Sequence, residues 1–232
     1  MEIRENLLAR RKLLEALKER FLKPRGGWHV TDLLVCPRKT YFRRIGEYEF
    51  MQDEAALLFT AGRAHHDILE YLPLKEIEVK KDGIIGHIDM IGDRVTEIFT
   101  TRTPKTKNPE DFKMKIAQLE AYLAMVGETE GDLMVFYLIG AWGRDVTPDI
   151  KVFTVRFEED EIKEHWSNLV RRKEMLERCI KERKPPEETG FPWECKNCGF
   201  KYKCHVSGGL EMIERERKKL KKELEAIRNE IE

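Results

Sequence analysis

Apolar residues recur at helical spacing over the first 22 positions, as Ile3, Leu7, Leu14, Leu17 and Phe21, and Pro24, Gly26 and Gly27 end that helix. Thr31 or Asp32 is placed to cap a second helix running to about Arg44, and a third fits roughly 53–72, before Pro73. The pattern then changes to alternation. KEIEVKK (75–81) has period two, and IIGHIDMI (84–91) and RVTEIFTT (94–101) are short β-rich runs. Asp82-Gly83 and Gly92-Asp93 separate them as hairpin turns, so a three-strand antiparallel meander is predicted. Helix 110–126, strand 132–140, strand 150–157 and helix 158–183 follow. Pro185, Pro186, Gly190 and Pro192 form a rigid connector to a cysteine cluster, and Gly208-Gly209 precedes a last helix over 210–232. This order predicts a mixed α/β layer architecture around one central sheet.

Charge sharpens that picture. The 232 residues carry 43 Lys+Arg against 43 Asp+Glu, and 37% are charged. A net charge of zero excludes a histone-like basic protein, and 41% hydrophobic residues exclude intrinsic disorder. Abundant Lys, Arg and Glu is the composition of thermophile proteins. No apolar run reaches the ~18 residues that span a bilayer. The first twenty residues hold no uncharged apolar stretch of the secretory kind, so a cytoplasmic protein without a membrane partner is expected.

In a reducing compartment, clustered cysteines bind metal more often than they pair. Cys195-x-x-Cys198 followed by Cys204 sets three thiols at metal-ligand spacing. Cys36 and Cys179 are the candidates for a fourth, and His205 is a substitute. Cys179 in LERCI also suits a buried helix position. Spacing alone allows zinc or an iron–sulfur cluster. With Cys36 as the fourth ligand, the site closes a loop of about 160 residues and constrains the unfolded chain by about 4–5 kcal/mol.

Asp89 on one strand and Glu97 on the next can meet across the Gly92-Asp93 turn. Two such carboxylates are hard ligands for Mg²⁺ or Mn²⁺. Gly62-x-x-x-His66 lies on the preceding helix, and Gln118-x-x-x-Tyr122 sets both side chains on one face of the next. With Cys36 before and Cys195, Cys198 and Cys204 after, this order resembles the RecB-like branch of the PD-(D/E)XK nucleases. More narrowly, it resembles the CRISPR-associated exonuclease Cas-four family, with the cysteine arrangement also found in the AddB helicase–nuclease subunit.

The resemblance covers about 28–206. It implies a restriction-endonuclease-like core, a central mixed sheet flanked by helices, and an iron–sulfur knuckle. Together with the terminal helices read from spacing, it divides the chain into an N-terminal helix (1–27), a nuclease core (28–183), a cysteine region completed by Cys36 (184–206) and a heptad-patterned helix (207–232). It further implies that His66, Asp89, Glu97 and the Ile98 carbonyl hold the catalytic Mg²⁺ or Mn²⁺. Gln118 and Tyr122 would contact DNA, and Cys36, Cys195, Cys198 and Cys204 would hold a 4Fe–4S cluster. The implied activity is metal-dependent DNA exonuclease action, preferring single strands, in CRISPR adaptation or DNA repair.

One position departs from the pattern. The family motif reads Glu-x-Lys, and here it is Glu97-Ile98-Phe99. Either the amine comes from elsewhere, with Arg102, Lys105 and Lys107 nearest in sequence, or metal alone supports slow hydrolysis, or the chain is a DNA-binding relative without chemistry. Retention of the other motif residues argues against complete loss. A zinc-knuckle structural protein is the third class of function.

Cations cluster at Arg38, Lys39, Arg43 and Arg44 beside Tyr41 and Phe42, and again at Arg102, Lys105, Lys107, Lys113 and Lys115. Basic residues interleaved with aromatics are how single strands are bound, although Tyr41 and Phe42 equally suit a buried face. In the last helix Ile213, Arg217, Leu220, Leu224, Ile227 and Ile231 step by four and three, a heptad seam. It suits packing on the chain's own domain, a homo-oligomer, or a partner such as a CRISPR adaptation protein.

Overall fold

The structure is a computed structural model. It describes residues 6–23, 25–69, 76–91, 93–102, 109–138, 148–196 and 198–205, with the side chains of 64–69, 90–91 and 192 left aside. The chain forms two compact units, residues 1–35 with 51–178, and 36–50 with 179–232. The helix predicted over 210–232 lies outside the described residues. Among the described residues, no helix is long and apolar enough to cross a membrane.

Helix α1 (Leu7–Leu22) starts at Asn6, whose side chain accepts from the Ala9 N–H at 2.9 Å. Strand β1 (Trp28–His29) and helix α2 (Val30–Leu34) follow. Asp32 sits in the first turn of α2 and accepts from the His29 N–H at 3.2 Å, so it closes the turn from within. The single helix predicted to reach Arg44 is two. Pro37 opens α3 (Pro37–Arg44), and a residue before proline is driven out of helical conformation; Cys36 has φ −48° and ψ 123°.

Helix α4 (Asp53–Leu69) begins with Asp53, which pairs with Lys18 at 2.6 Å and Arg10 at 3.5 Å. The predicted meander is interrupted. β2 (Ile77–Lys81) and β3 (Ile84–Ile88) form an antiparallel hairpin, and β1 adds parallel to β3. Asp82 and Gly83 take φ 49° and 70°, as a type I′ turn requires. β4 (Met90–Ile91) pairs with β5 (Val95–Thr101) in a different sheet, completed by β6 (Glu130–Tyr137) and β7 (Asp149–Arg156) in the order β4-β5-β6-β7. β5 and β6 run parallel, and the outer pairs run antiparallel. The expected strand over 84–91 therefore divides at Asp89, and two mixed sheets of three and four strands replace one.

Helix α5 (Lys113–Val126) carries the crossover from β5 to β6 and buries Leu119, Ala121, Tyr122 and Leu123. It approaches β3 closely. A Cβ on Gly86 would lie 2.6 Å from Met125 Sδ and 3.2 Å from the Tyr122 ring. Helix α6 (Glu159–Glu182) buries Ile162, Trp166, Leu169 and Leu176, and its Trp166 Nε1–H donates to Asp82 Oδ2 at 2.7 Å. The result is a mixed α/β fold with mixed sheets flanked by helices.

The second unit joins α3 to helix α7 (Pro192–Lys196) and a helical turn at 201–205. Tyr41, Phe42 and Phe200 are its buried aromatics, with Phe42 and Phe200 centroids 5.5 Å apart. The Phe50 N–H donates to the Gly199 carbonyl at 3.3 Å, tying residues before the split to residues after it.

Candidate functional site

The acidic centre follows from the break at Asp89. β4 pairs with β5 through Met90–Thr96 and Ile91–Val95, and one further step sets position 89 opposite 97. There the ladder stops, and the Ile98 N–H donates to Asp89 Oδ2 at 2.8 Å. A side-chain carboxylate thus stands where a strand carbonyl would be.

Glu97 is 1% exposed. Its Oε1 accepts from Lys115 Nζ at 2.6 Å, while its Oε2 has no hydrogen-bond partner among the described residues. Burial pushes the carboxyl up to about 8; the Lys115 ammonium opposes that shift and the Asp89 charge adds to it. Lys115 Nζ also donates to Gln118 Oε1 at 3.2 Å, and Gln118 Nε2 donates to the Tyr122 hydroxyl at 2.8 Å. Lys115, Gln118 and Tyr122 recur at i, i+3 and i+7, so one face of α5 presents a polar line ending on Glu97. Burial pushes the Tyr122 hydroxyl up, with the Glu97 charge adding to it.

Phe99 lies two residues beyond Glu97, on the same face of β5. It is buried, packs edge-on against Phe112 at 4.9 Å between centroids, and has Lys115 Nζ 5.8 Å from its own centroid. Among the described residues, the amine that contacts Glu97 is that of Lys115 on α5. Of the three cations nearest in sequence, Arg102 is exposed just past β5, and Lys105 and Lys107 lie outside the described residues. The spacing Lys115-x-x-Gln118-x-x-x-Tyr122 is the signal that singles Lys115 out of its basic run.

His66 lies on α4, one turn beyond Gly62, where a Cβ would come 3.9 Å from Thr100 Oγ1 of β5; the His66 side chain lies outside the described residues. The donor set of this centre fits a hard divalent cation. Asp89 and Glu97 offer carboxylate oxygens, and Glu97 Oε2 is a buried acceptor that nothing described satisfies.

The cations of α3 are engaged within their own unit. Arg43 donates to both Glu49 oxygens at 2.5 and 2.8 Å, Lys39 lies 3.3 Å from Glu49 Oε1, and Arg38 Nε donates to the Pro186 carbonyl at 2.8 Å. Tyr41 is 2% exposed, edge-on to Phe42, and offers no open ring face to a base. The exposed aromatics of this unit lie elsewhere, Tyr48 and Phe50 among them. Phe191 and Trp193 stack at 6.4 Å, and Tyr202 is 87% exposed.

Cys36, Cys179, Cys195, Cys198 and Cys204 carry no disulfide. Burial pushes the Cys195 thiol up, and Cys36, Cys198 and Cys204 add to the shift, so these four are electrostatic neighbours. Cys179 instead adds to the upward shift of the Tyr41 hydroxyl, whose main cause is burial. The Gly190 N–H donates to Cys36 Sγ at 3.0 Å, and Arg38 Nη1 donates to Cys204 Sγ at 3.6 Å. Among the described residues, no three His, Cys, Asp or Glu side chains close around a single ion position.

No protein-family model and no curated protein matches the chain. Among solved structures it is similar to SSO0001, with a TM-score of 0.46 and 24% identity over 83% of this chain and 94% of that one. It is also similar to the alkaline exonuclease LHK-Exo from Laribacter hongkongensis, with a TM-score of 0.42 and 15% identity over 73% of this chain and 95% of that one. A phage-related exonuclease from Haemophilus somnus 129PT gives a TM-score of 0.41 and 12% identity over 63% of this chain and 81% of that one.

Proposed function

We propose that the chain is a metal-dependent DNA exonuclease of the RecB-like PD-(D/E)XK kind, acting on single strands in CRISPR adaptation or repair. One observation carries the reading: Glu97 is buried beside Asp89 with an oxygen that no described donor satisfies. A buried carboxylate oxygen without a donor is costly, and a divalent cation is a partner that suits it. Asp89 and Glu97 would hold Mg²⁺ or Mn²⁺, with His66 and the Ile98 carbonyl completing the protein ligands. A cation so held supplies Lewis-acid stabilisation of the phosphoryl group and a nucleophile at neutral pH.

The residues have separate tasks. Asp89 fixes the edge of β5 through the Ile98 N–H and would add its carboxylate charge to the cation site. Gln118 and Tyr122 lie along α5 beside Glu97 and would contact the DNA strand. Arg102 and Lys105 would follow the strand past β5, while Arg38, Lys39 and Tyr41 serve the second unit, where their present contacts lie. Cys36, Cys195, Cys198 and Cys204 would hold a 4Fe–4S cluster, supported by their mutual influence and by the N–H groups on two of the sulfurs. The heptad helix at 207–232 would carry self-association or a CRISPR adaptation partner.

The test is cleavage of end-labelled single-stranded DNA in Mn²⁺ by the parent chain and by Asp89→Asn. The amide keeps an oxygen for the Ile98 N–H and removes the charge. A loss of about 100-fold or more is expected. Equal cleavage by the two proteins would remove Asp89 from the site.

A further inference from the structure

We propose, on the nuclease reading above, that Lys115 supplies from helix α5 the cationic amine that the strand motif lacks at Phe99. Lys115 Nζ touches Glu97 Oε1 at 2.6 Å and lies 5.8 Å from the Phe99 ring centroid. Phe99 follows Glu97 by two residues, so a lysine rooted at 99 would run along this same face of the strand. The ammonium of Lys115 occupies the space above the ring that such a side chain would cross. The ring favours that placement, because its π face attracts a cation and Phe112 holds it edge-on from another side. Gln118 Oε1, at 3.2 Å, fixes the direction of the amine from the next turn of the helix.

A plain counter-ion for a buried carboxylate explains less. The Lys115 side chain is 33% exposed while Glu97 is 1% exposed, so that side chain reaches from solvent to the buried carboxylate. It also leaves Glu97 Oε2 without a hydrogen-bond partner among the described residues. A charge so placed faces both the metal ligand and the side from which a phosphate must arrive.

In hydrolysis one water adds across the phosphodiester. Its oxygen bonds to phosphorus, and the bond to the departing ester oxygen breaks. That oxygen keeps the electron pair and takes up a proton, while the attacking water releases one to solvent. Lys115 transfers no proton. Its ammonium donates to the attacking water and to a non-bridging phosphoryl oxygen, offsetting charge that is greatest in the transition state.

The experiment compares the parent chain, Lys115→Met, and Lys115→Met combined with Phe99→Lys. Two quantities are measured: cleavage of labelled DNA in Mn²⁺ at saturating substrate, and Mn²⁺ affinity without DNA, by electron paramagnetic resonance. Lys115→Met is expected to lower kcat by about 100-fold or more while changing Mn²⁺ affinity by less than about threefold. Adding Phe99→Lys is expected to recover about tenfold or more, because the amine returns from the strand side. Cleavage by Lys115→Met within about threefold of the parent overturns the proposal, and so does loss of Mn²⁺ affinity together with cleavage, which marks a residue that only holds Glu97. A parent chain that binds Mn²⁺ and cleaves nothing overturns the nuclease reading and this proposal together, a result set apart by the absence of any difference between parent and variants.

Discussion

Phe99 and Lys115 share one small space, in which the aromatic ring packs against Phe112 and the ammonium lies over its face. Two amines cannot both be neutralised there by Glu97 Oε1. Phe99→Lys alone is therefore expected to destabilise the fold by about 3–5 kcal/mol, the usual penalty for an uncompensated buried charge, with no gain in cleavage. Urea unfolding monitored by circular dichroism reads the first quantity, and the Mn²⁺ cleavage assay the second. A gain in cleavage at unchanged stability would show that the centre lacks an amine, and that Lys115 does not provide one.

At the scale of elements, α5 and α6 meet through carboxylates. Burial pushes Glu120 up to about 7, and the charge of Glu161 on α6 adds to the shift. His165 of α6 faces the same place, with Nδ1 3.6 Å from Glu120 Oε2 and Nε2 on the Ala117 carbonyl at 3.0 Å, and burial lowers its pKa. The folded state then holds a proton on Glu120 that the unfolded chain releases near 4.5. Stability from this group is present below the unfolded value and is lost as pH rises toward about 7. His165 works in the opposite sense, costing stability as pH falls below its ordinary value of 6.5. Glu120→Gln should therefore gain melting temperature at pH 8 relative to the parent and show no such gain at pH 4.5. An equal shift at both values would place the effect outside titration.

The same scale shows what could be read from the chain. Helices α1, α4, α5 and α6 have apolar residues at helical spacing long enough to be unambiguous, and β6 and β7 alternate cleanly. The split at Cys36-Pro37 has a local cause, since proline opens a helix and disfavours helix before it. The split at Asp89 does not. IIGHIDMI is β-rich throughout, and only the competing pull of two sheets, with Ile98 N–H as the reward, stops the strand there. Strand β1 is two residues long and carries no period. Tyr41 and Phe42 lie beside cations in sequence, but α3 turns both rings inward, where Phe200 from the far end of the chain covers Phe42. Lys115 was legible only through its spacing to Gln118 and Tyr122, because a motif read along the strand does not look to the helix above it.

The whole molecule is divided across its sequence, since the second unit takes residues 36–50 from the early chain and 179–232 from the late chain. Cys36 holds that division together: its N–H donates to Glu194 Oε1 at 3.1 Å, and its Sγ accepts from the Gly190 N–H. If four cysteines hold a 4Fe–4S cluster, Cys36→Ser should lose bound iron and sulfide along with the visible absorbance of the preparation, while Cys179→Ser keeps all three. Iron and sulfide assays on anaerobically purified chains decide it. Equal iron in the two variants would remove Cys36 from the set.

The split unit also fixes an order of events in biosynthesis. Phe42 leaves the ribosome long before Phe200 exists to cover it, a wait of roughly ten to thirty seconds at ordinary rates of synthesis. The first unit draws on no residue beyond 178. The second unit can close only when almost the whole described chain has been made. A nascent chain stalled before Cys195 would still expose Phe42, the kind of apolar surface on which chaperones and proteases act.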